Sequence, residues 1–301
     1  MTVNVAIQLR AECTLTASDD RRVWIVSEDT GCTLTADTWR ELDTSGDNRL
    51  LSNIARFFEV EAVRISTRAT SPVGAGIAGS SALNIALCAA LGRWRGIDHS
   101  AEQLLTLAMN LEARTLGIPT GAQDYRPALY GGVSAIELDV LGVRRVAVDV
   151  DPAELERRLI LVYSGDSRSS GINNWEITRR YLDGDVGVVA HLGRINGIAA
   201  SIRDALTRQD WAELARQVTL EWHERQGLAP GVSTPAIDRL ITRAQDAGAL
   251  AGKVCGAGGG GCVFFLIDPA RRTQVCRAVT EAGARLLECR IDTDGLRIAV
   301  S

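Results

Sequence analysis

The stretch that most constrains this chain runs from Thr70 to Leu91. Glycines at Gly74, Gly76 and Gly79 lead through Ser80 and Ser81 into Ala82-Leu83-Asn84-Ile85-Ala86-Leu87-Cys88-Ala89-Ala90-Leu91, a run of good helix formers. Glycine lets a backbone turn with positive φ and approach a ligand without a Cβ in the way. A helix start behind such a loop offers unpaired N–H groups and the positive end of a dipole, which suits an anion such as a phosphate. Three readings compete on this stretch alone. Gly74-x-Gly76-x-x-Gly79 satisfies the dinucleotide fingerprint, which also requires a strand–turn–helix setting and an acid about 20 residues on, at the end of the next strand. Asp98 stands at that spacing but follows Arg93-Trp94-Arg95-Gly96, the end of a helical run. A Walker loop requires Gly-Lys-Ser/Thr, and no lysine is present here, so it is excluded. A glycine loop that merely turns the chain is the third.

Two further blocks decide between them. Asn110-Leu111-Glu112-Ala113-Arg114 is followed by Gly117-Ile118-Pro119-Thr120-Gly121-Ala122-Gln123-Asp124, and Gly252-Lys253-Val254-Cys255-Gly256-Ala257 runs into Gly258-Gly259-Gly260-Gly261. With Pro72-Val73-Gly74-Ala75-Gly76-Ile77-Ala78-Gly79-Ser80-Ser81-Ala82, these blocks resemble, in order and spacing, three motifs of the GHMP kinases. That family includes galactokinase, homoserine kinase, mevalonate kinase and the sugar-phosphate kinases. The Gly121–Asp124 and Lys253 blocks are most similar to sugar kinases of the heptose 7-phosphate type.

The resemblance implies an α+β, two-domain fold, with a ribosomal-protein-S5-like part over residues 1–155 that binds ATP and a ferredoxin-like part over 156–301. It implies an ATP- and Mg²⁺-dependent kinase that phosphorylates a hydroxyl of a sugar or sugar phosphate. Gly74, Ala75, Gly76, Ile77, Ala78, Gly79, Ser80 and Ser81 would hold ATP. Ser81 and Glu112 would ligate Mg²⁺, a hard ion that keeps several waters and needs only one or two protein oxygens. Asp124 would be catalytic, taking the acceptor proton. Gln123, Arg168, Lys253, Gly258, Gly259 and Gly260 would contact substrate. Arg168 belongs to Ser164-Gly165-Asp166-Ser167-Arg168-Ser169-Ser170, which is similar to a Thr-Gly-x-x-Arg-x-Ser segment of the sugar-phosphate kinases.

Plain structural roles stand beside these. Asp124 precedes Tyr125-Arg126-Pro127-Ala128 and suits a helix N-cap. Glu112 could lie on the solvated face of an amphipathic helix, Lys253 could snorkel at the surface, and the glycine run could be a turn. The sequence also departs from the family pattern. Ala78 stands where a glycine is usual and Ile77 where leucine is. The family's first motif, an Arg-x-Pro-Gly-like strand with a Gly-x-x-x-Asp segment, is not found ahead of the first strand. A nucleotide-binding protein with lost or altered catalysis is therefore an alternative function, and a nicotinamide-dependent dehydrogenase a more distant one.

The chain has 301 residues, 46 % hydrophobic and 23 % charged, as expected for a globular protein with one large or two medium domains. A net charge of −4 argues against a nucleic-acid surface. Lys253 is the only lysine. Seven scattered cysteines without a Cys-x-x-Cys pair, and three histidines, fit reduced thiols in a cytoplasm better than zinc or disulfides. Neither a signal peptide nor an apolar run of membrane-spanning length is expected.

Periodicity supplies the elements. Alternation from Val3 to Ala17 predicts one strand, with Val23 to Val26 its partner in a hairpin. Short segments at Asn53–Phe58 and Ala62–Ser66 read as a helix and a strand. Ser81–Arg93 and Ala101–Leu116 read as helices, the second opened by a Ser100/Gln103 capping box. Val133–Leu138, Arg145–Val150 and Leu159–Tyr163 read as strands. Four helices are expected over 173–182, 186–207, 211–227 and 234–247, then a strand over Cys262–Ile267, a helix over Pro269–Ala284 and strands at 286–291 and 296–300.

Overall fold

The computed structural model describes residues 1–165 and 170–300. Two compact units make up the chain. One comprises 9–71, 78–131 and 294–301; the other comprises 1–8, 72–77 and 132–293. The chain passes between them at five positions, so compactness does not divide it at a single point near residue 155.

The unit of 9–71, 78–131 and 294–301 is a four-stranded sheet with helices on one face. Its strands are β2 (Ala11–Ala17), β3 (Val23–Ser27), β4 (Cys32–Ala36) and β5 (Val63–Ala69), in the order β2-β5-β3-β4. Val23, Ile25, Val63 and Ile65 alternate inward, where α1 (Arg49–Phe57), α2 (Gly79–Trp94), α3 (Ala101–Leu116) and α4 (Tyr125–Tyr130) bury Ile54, Leu87, Leu91, Leu104 and Tyr125 against them. The other face stays polar, with Glu12, Thr14, Thr16, Thr33, Thr35, Arg64 and Arg68 exposed. This follows from period-2 alternation on a sheet with one wet side.

The unit of 1–8, 72–77 and 132–293 holds two sheets. β1 (Thr2–Val5), β6 (Val133–Asp139) and β7 (Gly142–Ala147) form one, in the order β1-β6-β7. β8 (Leu159–Tyr163), β9 (Ala249–Val254), β10 (Cys262–Ile267) and β11 (Arg285–Leu287) form the other, in the order β11-β8-β10-β9. The helices of this unit are α5 (Pro152–Arg158), α6 (Ser170–Leu182), α7 (Val186–Thr207), α8 (Trp211–Gln226), α9 (Pro235–Asp246) and α10 (Arg272–Glu281). Val162, Val254, Val263, Phe265 and Ile267 pack under Trp222, Ile237, Leu240, Val275 and Val279. β10 is the most apolar strand because it lies between two neighbours and under helices. Among the described residues no helix is long and apolar enough to cross a membrane.

Four sequence expectations are corrected. The strand of 3–17 is two strands in two units. β1 pairs with β6 and β2 with β5, and between them Ile7 bridges Ile291. Alternation runs unbroken across the change because each half has its own partner sheet, and periodicity reports sidedness rather than partnership. β3 does not form a hairpin with β2; β5 lies between them, antiparallel to β2 and parallel to β3, while β3 makes its hairpin with β4. Residues 249–254 are a strand that the sequence reading did not separate from the glycine block. Residues 296–300 are not a strand; Leu296 donates its N–H to the Leu129 carbonyl and rests on the core beneath.

Candidate active site

α2 and α3 set the geometry of the candidate site. Asn84, fully buried on α2, donates from Nδ2 to the Ala108 carbonyl of α3 at 2.7 Å. One helical turn back along α2 and one turn on along α3, Ser80 Oγ donates to Glu112 Oε1 at 3.0 Å. The antiparallel pair thus brings the first turn of α2 against an acid on α3. Glu112 is 6 % exposed, so it is not on a solvated helix face. Its second oxygen, Oε2, accepts from the Tyr125 hydroxyl at the first turn of α4. Ser81 and Thr120 also lie within hydrogen-bonding reach of that phenol. The arrangement pairs Glu112 with Ser80 directly and leaves Ser81 beside the Tyr125 phenol.

Asp124 immediately precedes Tyr125. Its side chain caps no N–H of α4, which removes the simplest structural role for it. No hydrogen bond or ion pair among the described residues involves its carboxylate. Burial, and next the charge of Glu112, push its pKa up to about 6. Arg126, 3 % exposed, fastens the turn ahead of Asp124 by donating to the Ala122 carbonyl at 2.7 Å and reaching Glu102 at 3.4 Å. Gln123 folds back over Gly121, where an added Cβ would lie 2.5 Å from its Nε2.

The glycine loop is shaped for an anion. Along the chain φ is positive at Gly74, Gly76 and Ala78 and not at Ala75 or Ile77, the alternation that turns successive N–H groups the same way. The N-cap of α2 is Ala78, which has no side-chain acceptor. By contrast α3, α5, α7, α8 and α9 are capped by Ser100, Asp151, Asp185, Asp210 and Thr234. Among the described residues, no protein acceptor takes the N–H groups of Gly76, Ile77, Ala78, Gly79, Ser80 or Ser81. The carbonyls of Gly74 to Gly76, meanwhile, face the turn after β9. Cys262 N–H donates to Ala75 O at 2.8 Å, and Cβ atoms at Gly256 and Gly261 would lie 2.9 Å from Gly76 O and 2.5 Å from Ala75 O. No strand end carries an acid at the fingerprint's spacing of about 20 residues, since α2 leads to α3 and Asp98 pairs with Arg93 in between. A dinucleotide fingerprint is therefore not what this loop is.

Models of the GHMP kinases' N-terminal domain and C-terminal domain match residues 48–132 and 202–285, together more than half of the chain. This chain belongs to the GHMP kinase family. As a member it is a phosphotransferase that acts on a hydroxyl group. A D-glycero-alpha-D-manno-heptose 7-phosphate kinase from Campylobacter jejuni is 26 % identical over 309 residues, covering 98 % of this chain and 89 % of that protein. A mevalonate kinase from Thermococcus onnurineus is 28 % identical, covering 78 % of this chain and 69 % of its own length. The fold is similar to a solved D-glycero-D-manno-heptose 1-phosphate kinase from Bacteroides thetaiotaomicron, at a TM-score of 0.77 and 22 % identity over 99 % of this chain and 90 % of that one. It is also similar to Lactococcus lactis galactokinase complexed with galactose, at 0.77 and 17 % over 97 % and 88 %.

The remaining sequence-predicted residues of this GHMP kinase lie apart from Glu112 and Asp124 in the chain. Lys253 on β9 is committed to Glu221 of α8, which also accepts from Arg225 Nε at 2.7 Å. Burial and the nearby Arg225 charge lower the Lys253 pKa to about 8, against the pull of Glu221. Lys253 is thus neither a snorkelling surface lysine nor a free ammonium. Gly258, Gly259 and Gly260 are buried; a Cβ at Gly258 would meet Val232 O at 2.4 Å, and Gly259 gives its N–H to the same carbonyl at 2.7 Å. Arg168 lies outside the described residues. Tyr125 and Arg126 were missed by sequence reasoning. Their signal was a phenol and a guanidinium directly after the Gly-x-Gln-Asp turn, where a helix opening would suit small or acidic residues.

Two predictions follow from this geometry. Ala78 adopts φ 61° and ψ 28°, a left-handed conformation that costs an L-residue about 1 kcal/mol. Ala78→Gly should raise unfolding free energy by about 1 kcal/mol in urea. Glu221→Ala leaves Lys253 and Arg225 without their shared carboxylate, and should lower stability by about 3 kcal/mol in the same assay.

Proposed function

We propose that this GHMP kinase transfers the γ-phosphoryl group of ATP to a hydroxyl of a sugar or sugar phosphate, with Mg²⁺ and with Asp124 as the base. The observation that carries the reading is a pair of acids, Glu112 against the first turn of α2 and Asp124 within reach of its charge. Glu112 is held by two hydroxyl donors, and Asp124 is unpaired among the described residues, with a raised pKa. Among the described residues the N–H groups from Gly76 to Ser81 meet no protein acceptor and so form a row of open donors, as triphosphate oxygens require. The donor set of Glu112 with Ser81 is all oxygen, which fits a hard divalent ion. Such an ion, when bound, would neutralise charge on the triphosphate.

Asp124 in its ionised form accepts the proton of the acceptor hydroxyl. The oxygen so released forms the new bond to phosphorus as the bond to the ADP oxygen breaks. A carboxylate ordinarily titrating near 4 is a weak base at neutral pH; raised to about 6 it matches the working range better while remaining ionised at pH 7. Gln123 and Arg168 are the proposed substrate contacts. Lys253, already paired with Glu221, is kept for positioning the glycine turn. The sugar acceptor rests on the similarity to heptose phosphate kinases and on the Gly121–Asp124 block. The seven cysteines are free thiols, which supports a reducing, cytoplasmic setting.

The test is ADP release across a panel of sugars and sugar phosphates, heptose phosphates included. Wild-type turnover should appear with one class of acceptor and rise as pH climbs through about 6. Asp124→Asn should lower kcat by about 10²–10⁴-fold. Turnover that survives this substitution overturns the assignment. Stability supplies an independent check on metal-free protein. The folded-state pKa of Asp124 lies above its unfolded value of 3.8, so ionising it opposes folding at neutral pH. Asp124→Asn should therefore be more stable by about 2 kcal/mol at pH 7, with the gain fading as pH falls through 6 and gone below 4.

A further inference from the structure

We infer that Tyr125 is a positioning residue whose hydroxyl fixes the rotamer of Glu112 and so sets the affinity for the divalent metal that accompanies the nucleotide. The inference rests on the metal reading of Glu112 above. Tyr125 is fully buried and belongs to the same hydrophobic core as Leu87 and Leu91 of α2 and Leu129 of its own helix. The only polar atom of the side chain points to Glu112 Oε2. The ring is thus held in the core, and the hydroxyl is delivered at a fixed point.

Glu112 cannot find that fixity on its own helix. A glutamate has three rotatable bonds, and those of Glu112 are restrained at the tip by two donors on different elements: Ser80 at the head of α2 and Tyr125 at the head of α4. Ser80 is exposed, so its hydroxyl can also turn to solvent. Tyr125 is fully buried and cannot turn to solvent. Each carboxylate oxygen carries two lone-pair sites, so accepting from a hydroxyl leaves a site open on the same oxygen. Ligand carboxylates are commonly held in this way by a buried donor, and removing the donor typically costs 10–100-fold in metal affinity. A second consequence concerns Asp124, the adjacent residue. Because the Tyr125 ring is fixed in the core, the backbone on which the base is carried is fixed with it.

Tyr125→Phe keeps the ring and deletes only the hydroxyl. The measurement is binding of ATP by titration calorimetry with and without Mn²⁺, together with the Mg²⁺ concentration for half-maximal turnover. For Tyr125→Phe the metal concentration needed should rise 10–100-fold, while the affinity for metal-free ATP stays at the wild-type value. A loss of packing alone would weaken both and broaden the thermal transition. Ser80→Ala, an exposed substitution that leaves the core intact, is the second variant; it removes the other donor and should shift the metal requirement in the same direction by a smaller factor. Wild-type metal dependence in Tyr125→Phe, or in Ser80→Ala should Tyr125→Phe not fold, overturns the positioning role alone. Wild-type protein that binds ATP equally with and without metal overturns the metal reading, and this inference with it.

Discussion

The contact on which the glycine loop depends is made between backbones. Ala75 accepts from Cys262 N–H, and the carbonyls of Ala75 and Gly76 approach Gly261 and Gly256 more closely than any Cβ would allow. A trans peptide carries its N–H opposite its C=O. Turning the carbonyls of Ala75 and Gly76 toward the β9–β10 turn therefore turns the N–H groups of Gly76 and Ile77 away from it. The two glycine motifs, far apart in sequence, are in this sense one device. The second motif satisfies the acceptors of the first, and the donors of the first are left over. This also explains why Gly258 and Gly259, expected at the substrate, instead lie against Val232. Glycine in the second motif is required by packing before any ligand is considered.

The acids of the other unit divide the work by environment. Glu112 lies against the first turn of α2 and Asp124 within reach of its charge, yet among the described residues one accepts two hydroxyl hydrogen bonds and the other accepts none. The unpaired one feels burial first and its neighbour's charge second, and both keep its proton on to higher pH. A site whose two carboxylates are separated in this way can use one to hold a cation and the other to move a proton. Neither assignment follows from the residue types alone.

Local signals carried most of the fold, and contacts made at a distance carried what was missed. The capping box at Ser100 and Gln103 closes as expected, since both partners lie within one turn of the same helix. α7 and β10 run over the residues that periodicity marked, since one face of the former and all but Phe264 of the latter are buried. The single strand of 3–17 fails for the opposite reason: alternation cannot register that Gln8 and Leu9 belong to different units. β9 was hidden because its Gly252 and Lys253 are poor strand formers, held there by pairing with Phe265 and Phe264. At the site, Glu112 and Asp124 were legible from the family's spacing. The burial of Glu112 was not, because it depends on α2 and α4 closing over α3. The commitment of Lys253 was not either, because Glu221 lies 32 residues away on α8.

Ala78 shows how the local rules yield to the site. A helix N-cap in a globular protein is best filled by Ser, Thr, Asp or Asn, whose oxygen would occupy an N–H of the first turn. At the head of α2 that oxygen would compete with the anion the row of donors is open to receive. Excluding a capping side chain leaves glycine and alanine among the small residues. Glycine would adopt φ 61° without strain, whereas alanine adopts it at a cost. Alanine in turn restricts the unfolded chain and stiffens the loop at the point where it enters α2. Strain that persists at a turn with no capping bond to offset it is the pattern expected where an open donor array is favoured over the stability of the empty protein, as the proposed nucleotide site would require.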